Sequence, residues 1–258
     1  MTNLDRTRPL DVLTRLTAHR IIPVVVLPSA ESAGPLGEAL VAGGLPVAEV
    51  TFRTAAAAQA IAALAARGDI LVGAGTVLTR QQVDQAVQAG AQYIVSPGSS
   101  RAVIEHARAA GVPVVPGAVT ATEIQAALEL GIDLVKFFPA EACGGAGAVR
   151  ALAAPFAGVR FVPTGGVSPA NLGQYLAIKA VAAVGGSWMV PQSAIAAGDF
   201  AAIERLTSQA VALAAGSAAD VAAGGAAGGA AATGNAAASA AQTAAAITTA
   251  ATATGREN

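Results

Sequence analysis

The sequence predicts an α/β fold: a (β/α)8 barrel of the TIM type, with an N-terminal helix before it and a low-complexity C-terminal tail after it. Three observations carry this expectation. A unit recurs along the chain, made of a short Val/Ile-rich run, a turn, an Ala/Leu-rich helical stretch and a glycine. Strands that alternate with helices pair in parallel through right-handed crossovers. Eight such units fit within about 200 residues, the length of a compact barrel. Finally, no GxGxxG follows the first apolar run, which counts against the alternative, a doubly wound open sheet.

The elements follow in order. Residues 9–20 read as an opening amphipathic helix. Strands are expected at 21–27, 47–52, 70–75, 93–97, 112–116, 134–138, 160–164 and 181–185, where β-branched and apolar residues form short bounded runs. Helical stretches lie between them at 31–42, 54–67, 80–89, 101–110, 120–130 and 169–178. Several are expected to end on a C-cap glycine, at Gly44, Gly68, Gly90, Gly111 and Gly131. From Ser217 the composition changes to Ala with Gly, Thr and Ser, and only Val221 and Ile247 are bulky and apolar. Such a segment buries too little surface to offset its ordering entropy, although alanine favours transient helix. The expected division is a barrel over residues 1–216 and a disordered tail over 217–258.

Composition narrows the function. The 258 residues carry a net charge of -1, which gives no footprint for nucleic acid or an anionic membrane surface. The hydrophobic share of 54% is inflated by alanine, and the longest bulky apolar run, 21–27, is interrupted by Pro23. That run is far short of the roughly 20 residues that span a bilayer. The first residues, Met1 to Arg6, lack the apolar core of a signal peptide, and Cys143 is the only cysteine. These features imply a cytoplasmic protein without membrane or nucleic-acid partners.

The chemistry is expected where barrels of this type carry it, at the C-terminal ends of the strands. Lys136 stands in the apolar run Leu134-Val135-Lys136-Phe137-Phe138. Desolvation disfavours an ammonium group, and a free amine can form a Schiff base with a carbonyl. The bland alternative is a structural lysine paired with a carboxylate from a neighbouring strand. Glu49 is such a carboxylate, flanked by Ala48 and Val50, and it could form a base and nucleophile pair with Lys136. Glu49, Thr51 and Arg53 are spaced by two and share one side of their strand. Arg53 offers a fork for a carboxylate or phosphate, or is a surface arginine. Gly165-Gly166 and Gly185-Gly186-Ser187 end the seventh and eighth strands, where a barrel binds phosphate through backbone amides. Tight turns alone are the other explanation. His19 and His106, the only histidines, fall in helical stretches, so no zinc cluster is available, whereas magnesium held by carboxylates stays open.

Six motifs then fix a resemblance: Glu49-Val50-Thr51-Phe52-Arg53-Thr54, Val72-Gly73-Ala74-Gly75-Thr76-Val77, Ser96-Pro97-Gly98, Lys136-Phe137-Phe138-Pro139-Ala140-Glu141, Pro163-Thr164-Gly165-Gly166-Val167-Ser168-Pro169-Ala170-Asn171 and Gly185-Gly186-Ser187-Trp188. In this order the sequence resembles the class I 2-keto-3-deoxy-6-phosphogluconate aldolases, in register over about residues 10–215. The resemblance implies that Lys136 forms the Schiff base and Glu49 is the general acid/base. It implies that Arg53 and Thr76 hold the pyruvate carboxylate, that Pro97 and Phe138 wall the pocket, and that Thr164 reads sugar stereochemistry. Gly165, Gly166, Gly186 and Ser187 match the phosphate site. The implied reaction cleaves a phosphorylated sugar acid to pyruvate and glyceraldehyde 3-phosphate, with no cofactor and no metal, in a homotrimer. A 4-hydroxy-2-oxoglutarate aldolase, a phosphosugar epimerase or isomerase barrel, and a non-catalytic phosphate-binding barrel are the other readings. Cys143 stands where members of the family carry Asn, and is read as a small filler. The tail has no counterpart in the family.

Overall fold

The computed structural model describes residues 9–228. The first helix, α1 (Pro9–Ala18), precedes β1 (Ile21–Val25), and a single 3-10 turn at Ala30–Ser32 leads into α2 (Ala33–Ala42). The alternation continues through β2 (Val47–Thr51), α3 (Ala57–Ala65), β3 (Leu71–Gly75), α4 (Arg80–Gln88), β4 (Ile94–Val95), α5 (Arg101–Ala109), β5 (Val114–Val115), α6 (Ala121–Glu129) and β6 (Leu134–Phe137). It ends with α7 (Gly145–Ala153), β7 (Arg160–Pro163), α8 (Leu172–Leu176), β8 (Val184–Gly186), α9 (Gln192–Ala197) and α10 (Phe200–Gly228).

All pairings are parallel. One sheet runs in the order β5-β4-β3-β2-β1-β8, and β6 and β7 form a second ladder. Single bridges join the two into a ring. Gly117 pairs with Lys136 between β5 and β6, and Phe161–Val181 and Thr164–Gly185 tie β7 to β8. The ring is therefore closed, and the expected TIM-type barrel is what forms. Closure leaves no edge strand for another chain to pair with.

The two-residue period of each strand divides the core into an inner and an outer layer. Val47, Leu71, Tyr93, Val95, Val115, Leu134, Val162 and Ala183 pack with one another in the lumen. Val12 and Leu16 of α1 join this inner group and plug the end where the strands begin. The alternate positions, such as Val50, Val72, Ile94, Val135 and Phe161, face the helices. Parity then dictates that Glu49, two residues after Val47, and Lys136, two after Leu134, also point inward.

Local chemistry sets the helix limits. Thr120 caps α6, with its hydroxyl accepting from the Glu123 amide while the Glu123 carboxylate accepts from the Thr120 amide. The Val119 amide also donates to that carboxylate, and these bonds hold the Glu123 carboxyl below its ordinary range. The five expected C-cap glycines all adopt positive φ, between 67° and 88°.

Helices α7, α9 and α10 lie outside the stretches named from the sequence, and α8 is shorter than named. Helix α7 falls in no helical stretch named from the sequence, although the repeating unit calls for a helix after β6; Gly144, Gly145 and Gly147 lie at its start, and glycine disfavours helix. Packing of Ala146 and Val149 into the outer core overrides that preference. The expected helix at 169–178 shrinks to Leu172–Leu176, because the Asn171 side chain accepts from the Ser168 amide and holds residues 168–171 in a turn. Helix α10 continues to Gly228 and thus takes in the first Ala-rich residues, whereas residues 229–258, where the rest of the expected tail falls, lie outside the described residues. Among the described residues no helix is long and apolar enough to cross a membrane.

Candidate active site

The inward-facing side chains above the apolar plug are polar, and glycine makes room for them. Glu49 on β2 lies in register with Gly73, and Thr51 with Gly75, on the adjacent strand β3. A Cβ at Gly75 would stand 2.7 Å from Cγ and 2.8 Å from Cδ of Glu49. A Cβ at Gly73 would collide with the Tyr93 ring. The Tyr93 hydroxyl donates to the Ala48 carbonyl at 2.8 Å. Burial, and then the nearby Glu49 charge, push the Tyr93 hydroxyl well above its ordinary range, so it stays a neutral donor.

Across the lumen, Lys136 Nζ lies 3.0 Å from Glu49 Oε1. Only 5% of Lys136 and 2% of Glu49 are exposed. The lysine is anchored on the β5 side of β6: its amide donates to the Pro116 carbonyl at 2.8 Å, and its carbonyl accepts from the Ala118 amide at 2.9 Å. Beyond the amine, the Phe138 ring centroid is 5.4 Å away, within cation–π range.

The remaining expected residues gather on the same rim. Thr51 donates to the Val25 carbonyl at 3.0 Å and accepts from Arg53 Nε at 3.3 Å, which leaves the other guanidinium N–H groups of this exposed arginine available. Thr76 follows the paired end of β3 and adopts φ 57°, a left-handed conformation uncommon outside glycine. Pro97 follows β4, and its carbonyl occupies the space that a Cβ at Gly117 would need. Thr164 is buried, donates weakly to Val162 at 3.3 Å, and fills the space left by Gly185.

The glycine loops after β7 and β8 are shaped by their neighbours. Gly165 and Gly166 have φ of 95° and 81°. The Gly165 carbonyl accepts from the Glu141 amide at 3.1 Å, and the Gly166 carbonyl from Asn171 Nδ2 at 3.1 Å. The Thr164–Gly185 bridge turns the Gly165 amide toward the Gly185 carbonyl, whereas among the described residues no backbone acceptor is found for the N–H groups of Gly166 or Ser187. The space beside Gly186 is taken by the Trp188 ring, so that glycine admits a protein side chain. Ser187 is exposed at the end of β8.

The two histidines sit away from this rim. His106 on α5 pairs with Asp84 of α4 at 2.7 Å, and His19 follows α1 at the plugged end. Among the described residues no group of three or more His, Cys, Asp or Glu could hold a metal ion. Cys143 is half-buried against the outer core.

A closed parallel barrel with a buried amine and carboxylate paired at the C-terminal ends of its strands defines a class: barrels equipped for carbonyl chemistry through a lysine. The chain belongs to the KDPG and KHG aldolase family, whose family model matches residues 12–206. It is 53% identical over 199 residues to the 2-dehydro-3-deoxy-phosphogluconate aldolase of Treponema pallidum (strain Nichols), covering 77% of this chain and 95% of that one. Among solved structures, the 2-keto-3-deoxy-6-phosphogluconate aldolase of Zymomonas mobilis ZM4 with 3-phosphoglycerate matches at 41% identity and a TM-score of 0.74, covering 80% of this chain and 97% of that one. The KDPG aldolase of Legionella pneumophila, with pyruvate captured as a covalent carbinolamine intermediate, matches at 40% identity and a TM-score of 0.75, covering 80% and 98%.

The sequence reading passed over Thr51 as a support for Arg53, and Tyr93 and Gly75 as the walls that hold Glu49. The last of these leads to a direct test. Gly75→Ala should displace the Glu49 carboxylate from Lys136 and lower kcat by roughly a hundred-fold, the scale of a misplacement of about 1 Å. Steady-state turnover beside a thermal melt checks this. Unchanged kcat in a folded variant would show that Glu49 does not need that wall.

Proposed function

We propose that the chain is a class I aldolase that cleaves 2-dehydro-3-deoxy-6-phosphogluconate to pyruvate and D-glyceraldehyde 3-phosphate, the splitting step of the Entner–Doudoroff route. The observation that carries this reading is the buried contact between Lys136 Nζ and Glu49 Oε1. A phosphosugar epimerase or isomerase would use the phosphate loops but has no need for an amine in the lumen.

The Lys136 amine adds to the C2 ketone, and the carbinolamine loses water to give an iminium. Glu49, directly or through a water, takes the proton of the C4 hydroxyl. The C3–C4 electron pair moves into the iminium, the bond breaks, and glyceraldehyde 3-phosphate leaves. Glu49 returns the proton to C3 of the resulting enamine, and water releases pyruvate and the free amine. Arg53 and Thr76, on adjoining strand ends, hold the pyruvate carboxylate. Pro97 and Phe138 wall the pocket, and Thr164 reads the hydroxyl configuration. The N–H groups of Gly166 and Ser187, with Gly165 and Gly186, receive the phosphate. Pyruvate held as a carbinolamine and 3-phosphoglycerate are what two solved relatives contain, and both fit the two ends of this arrangement. Because only the phosphate end differs, 4-hydroxy-2-oxoglutarate is a second substrate, in line with the two activities that the family description names.

We further infer a barrel domain over residues 1–216 with a separate tail over 217–258, working as a cytoplasmic homotrimer. The change of composition at Ser217 and the family resemblance support this. Light scattering should return about three times the mass of one chain, 25.0 kDa; a monomer would overturn the trimer.

Incubation with pyruvate and borohydride should add one pyruvate-derived mass to the peptide that holds Lys136, and Lys136→Ala should abolish it. Lys179 is the only other lysine, so an adduct there instead would overturn the assignment.

A further inference from the structure

Glu141 and Tyr175 have no part in the chemistry above, yet they meet beside the Gly165–Gly166 loop, where Glu141 is exposed. Tyr175 on α8 is fully buried, and its hydroxyl donates a hydrogen bond to Glu141 Oε1. Burial and then this bond push the Tyr175 hydroxyl above its ordinary range, so it stays protonated and keeps donating. Glu141 reaches the loop at two further points. Its amide donates to the Gly165 carbonyl at 3.1 Å. Its Cβ and Cγ fill the space where a Cβ on Gly166 would otherwise lie. The end of the side chain has by then passed the loop, since a Cβ on Gly145, at the start of α7, would stand 3.4 Å from Oε1 and 3.6 Å from the Tyr175 hydroxyl.

We propose that Glu141 and Tyr175 form a positioning pair that holds the Gly165–Gly166 loop in the shape that receives the substrate phosphate. The pair has two effects. It braces a loop at positive φ through Glu141, while Asn171 holds the Gly166 carbonyl. It also ties the Glu141 carboxylate to a buried hydroxyl on the α7–α8 side. A free carboxylate at this point could turn toward the unpaired amides and compete with phosphate for them. Glutamate thereby serves beside an anion site without repelling the anion.

The inference rests on the reading that this loop binds phosphate, so the test carries a reference variant. KM and kcat are measured for 2-dehydro-3-deoxy-6-phosphogluconate and for 4-hydroxy-2-oxoglutarate, in the full chain. Ser187→Ala removes a hydroxyl from the proposed phosphate site and should raise KM for the phosphorylated substrate roughly ten-fold. Tyr175→Phe, which keeps the buried ring, and Glu141→Ala should each raise the same KM by a similar factor, with kcat on 4-hydroxy-2-oxoglutarate little changed. Glu141→Gln, whose amide oxygen still accepts from Tyr175, should recover most of the loss. If Ser187→Ala shifts KM and the Tyr175 and Glu141 variants do not, the pair has no positioning role. Equal losses on both substrates would likewise overturn it, because they would mean a general disturbance of the barrel. If no variant shifts KM, the phosphate reading itself fails.

Discussion

A lysine and a glutamate held out of water on facing strands are the constraint that organises this molecule. Each charge alone would cost several kcal/mol to bury, and pairing offsets that cost only when the geometry is fixed. The barrel fixes it. Two backbone bonds to Pro116 and Ala118 hold Lys136, and the wall formed by Gly73, Gly75 and Tyr93 holds Glu49. Removing either partner alone would leave an uncompensated charge, a loss of roughly 3–5 kcal/mol at buried sites. Stability and chemistry therefore depend on the same 3.0 Å contact.

The division of labour between layers follows from the two-residue period of a strand. Positions facing the helices carry Val, Ile and Phe and hold the ring together. Inward positions are apolar where α1 plugs the lumen and polar toward the other rim. Small residues at Gly73, Gly75 and Gly185 let Tyr93, Glu49 and Thr164 occupy a lumen that full-sized side chains would fill. The absence of a side chain is thus as much a part of the site as the groups that react.

Much of this was legible in the sequence, because the signals were local. Strand runs, C-cap glycines and the apolar setting of Lys136 are patterns of a few neighbouring residues, and all eight strands form where those patterns fall. The pairing of Glu49 with Lys136 was one of two open readings, since nothing local joins residues that lie on β2 and β6. What escaped was tertiary. Helix α7 opens on glycines that argue against helix, and only packing of Ala146 and Val149 draws it into place. Tyr175 and Glu141 belong to separate segments, and no spacing rule connects a helix tyrosine to a loop glutamate. The glycines after β7 and β8 were read as backbone amides for phosphate, and the sequence did not show that Glu141 and Trp188 take the space beside Gly166 and Gly186. The Gly166 and Ser187 amides are what support the phosphate reading.

The claim that the Lys136–Glu49 pair is the reacting centre is tested most directly by hydrogen exchange into pyruvate. In heavy water, the Lys136 enamine should exchange the methyl protons of pyruvate, with Glu49 carrying the proton, and proton NMR follows the loss of the methyl signal. Glu49→Gln should slow this exchange by roughly a hundred-fold or more, the contribution of a positioned acid–base group, while pyruvate can still be trapped on Lys136. Exchange at the unaltered rate in Glu49→Gln would contradict the account and assign the proton transfer to another group.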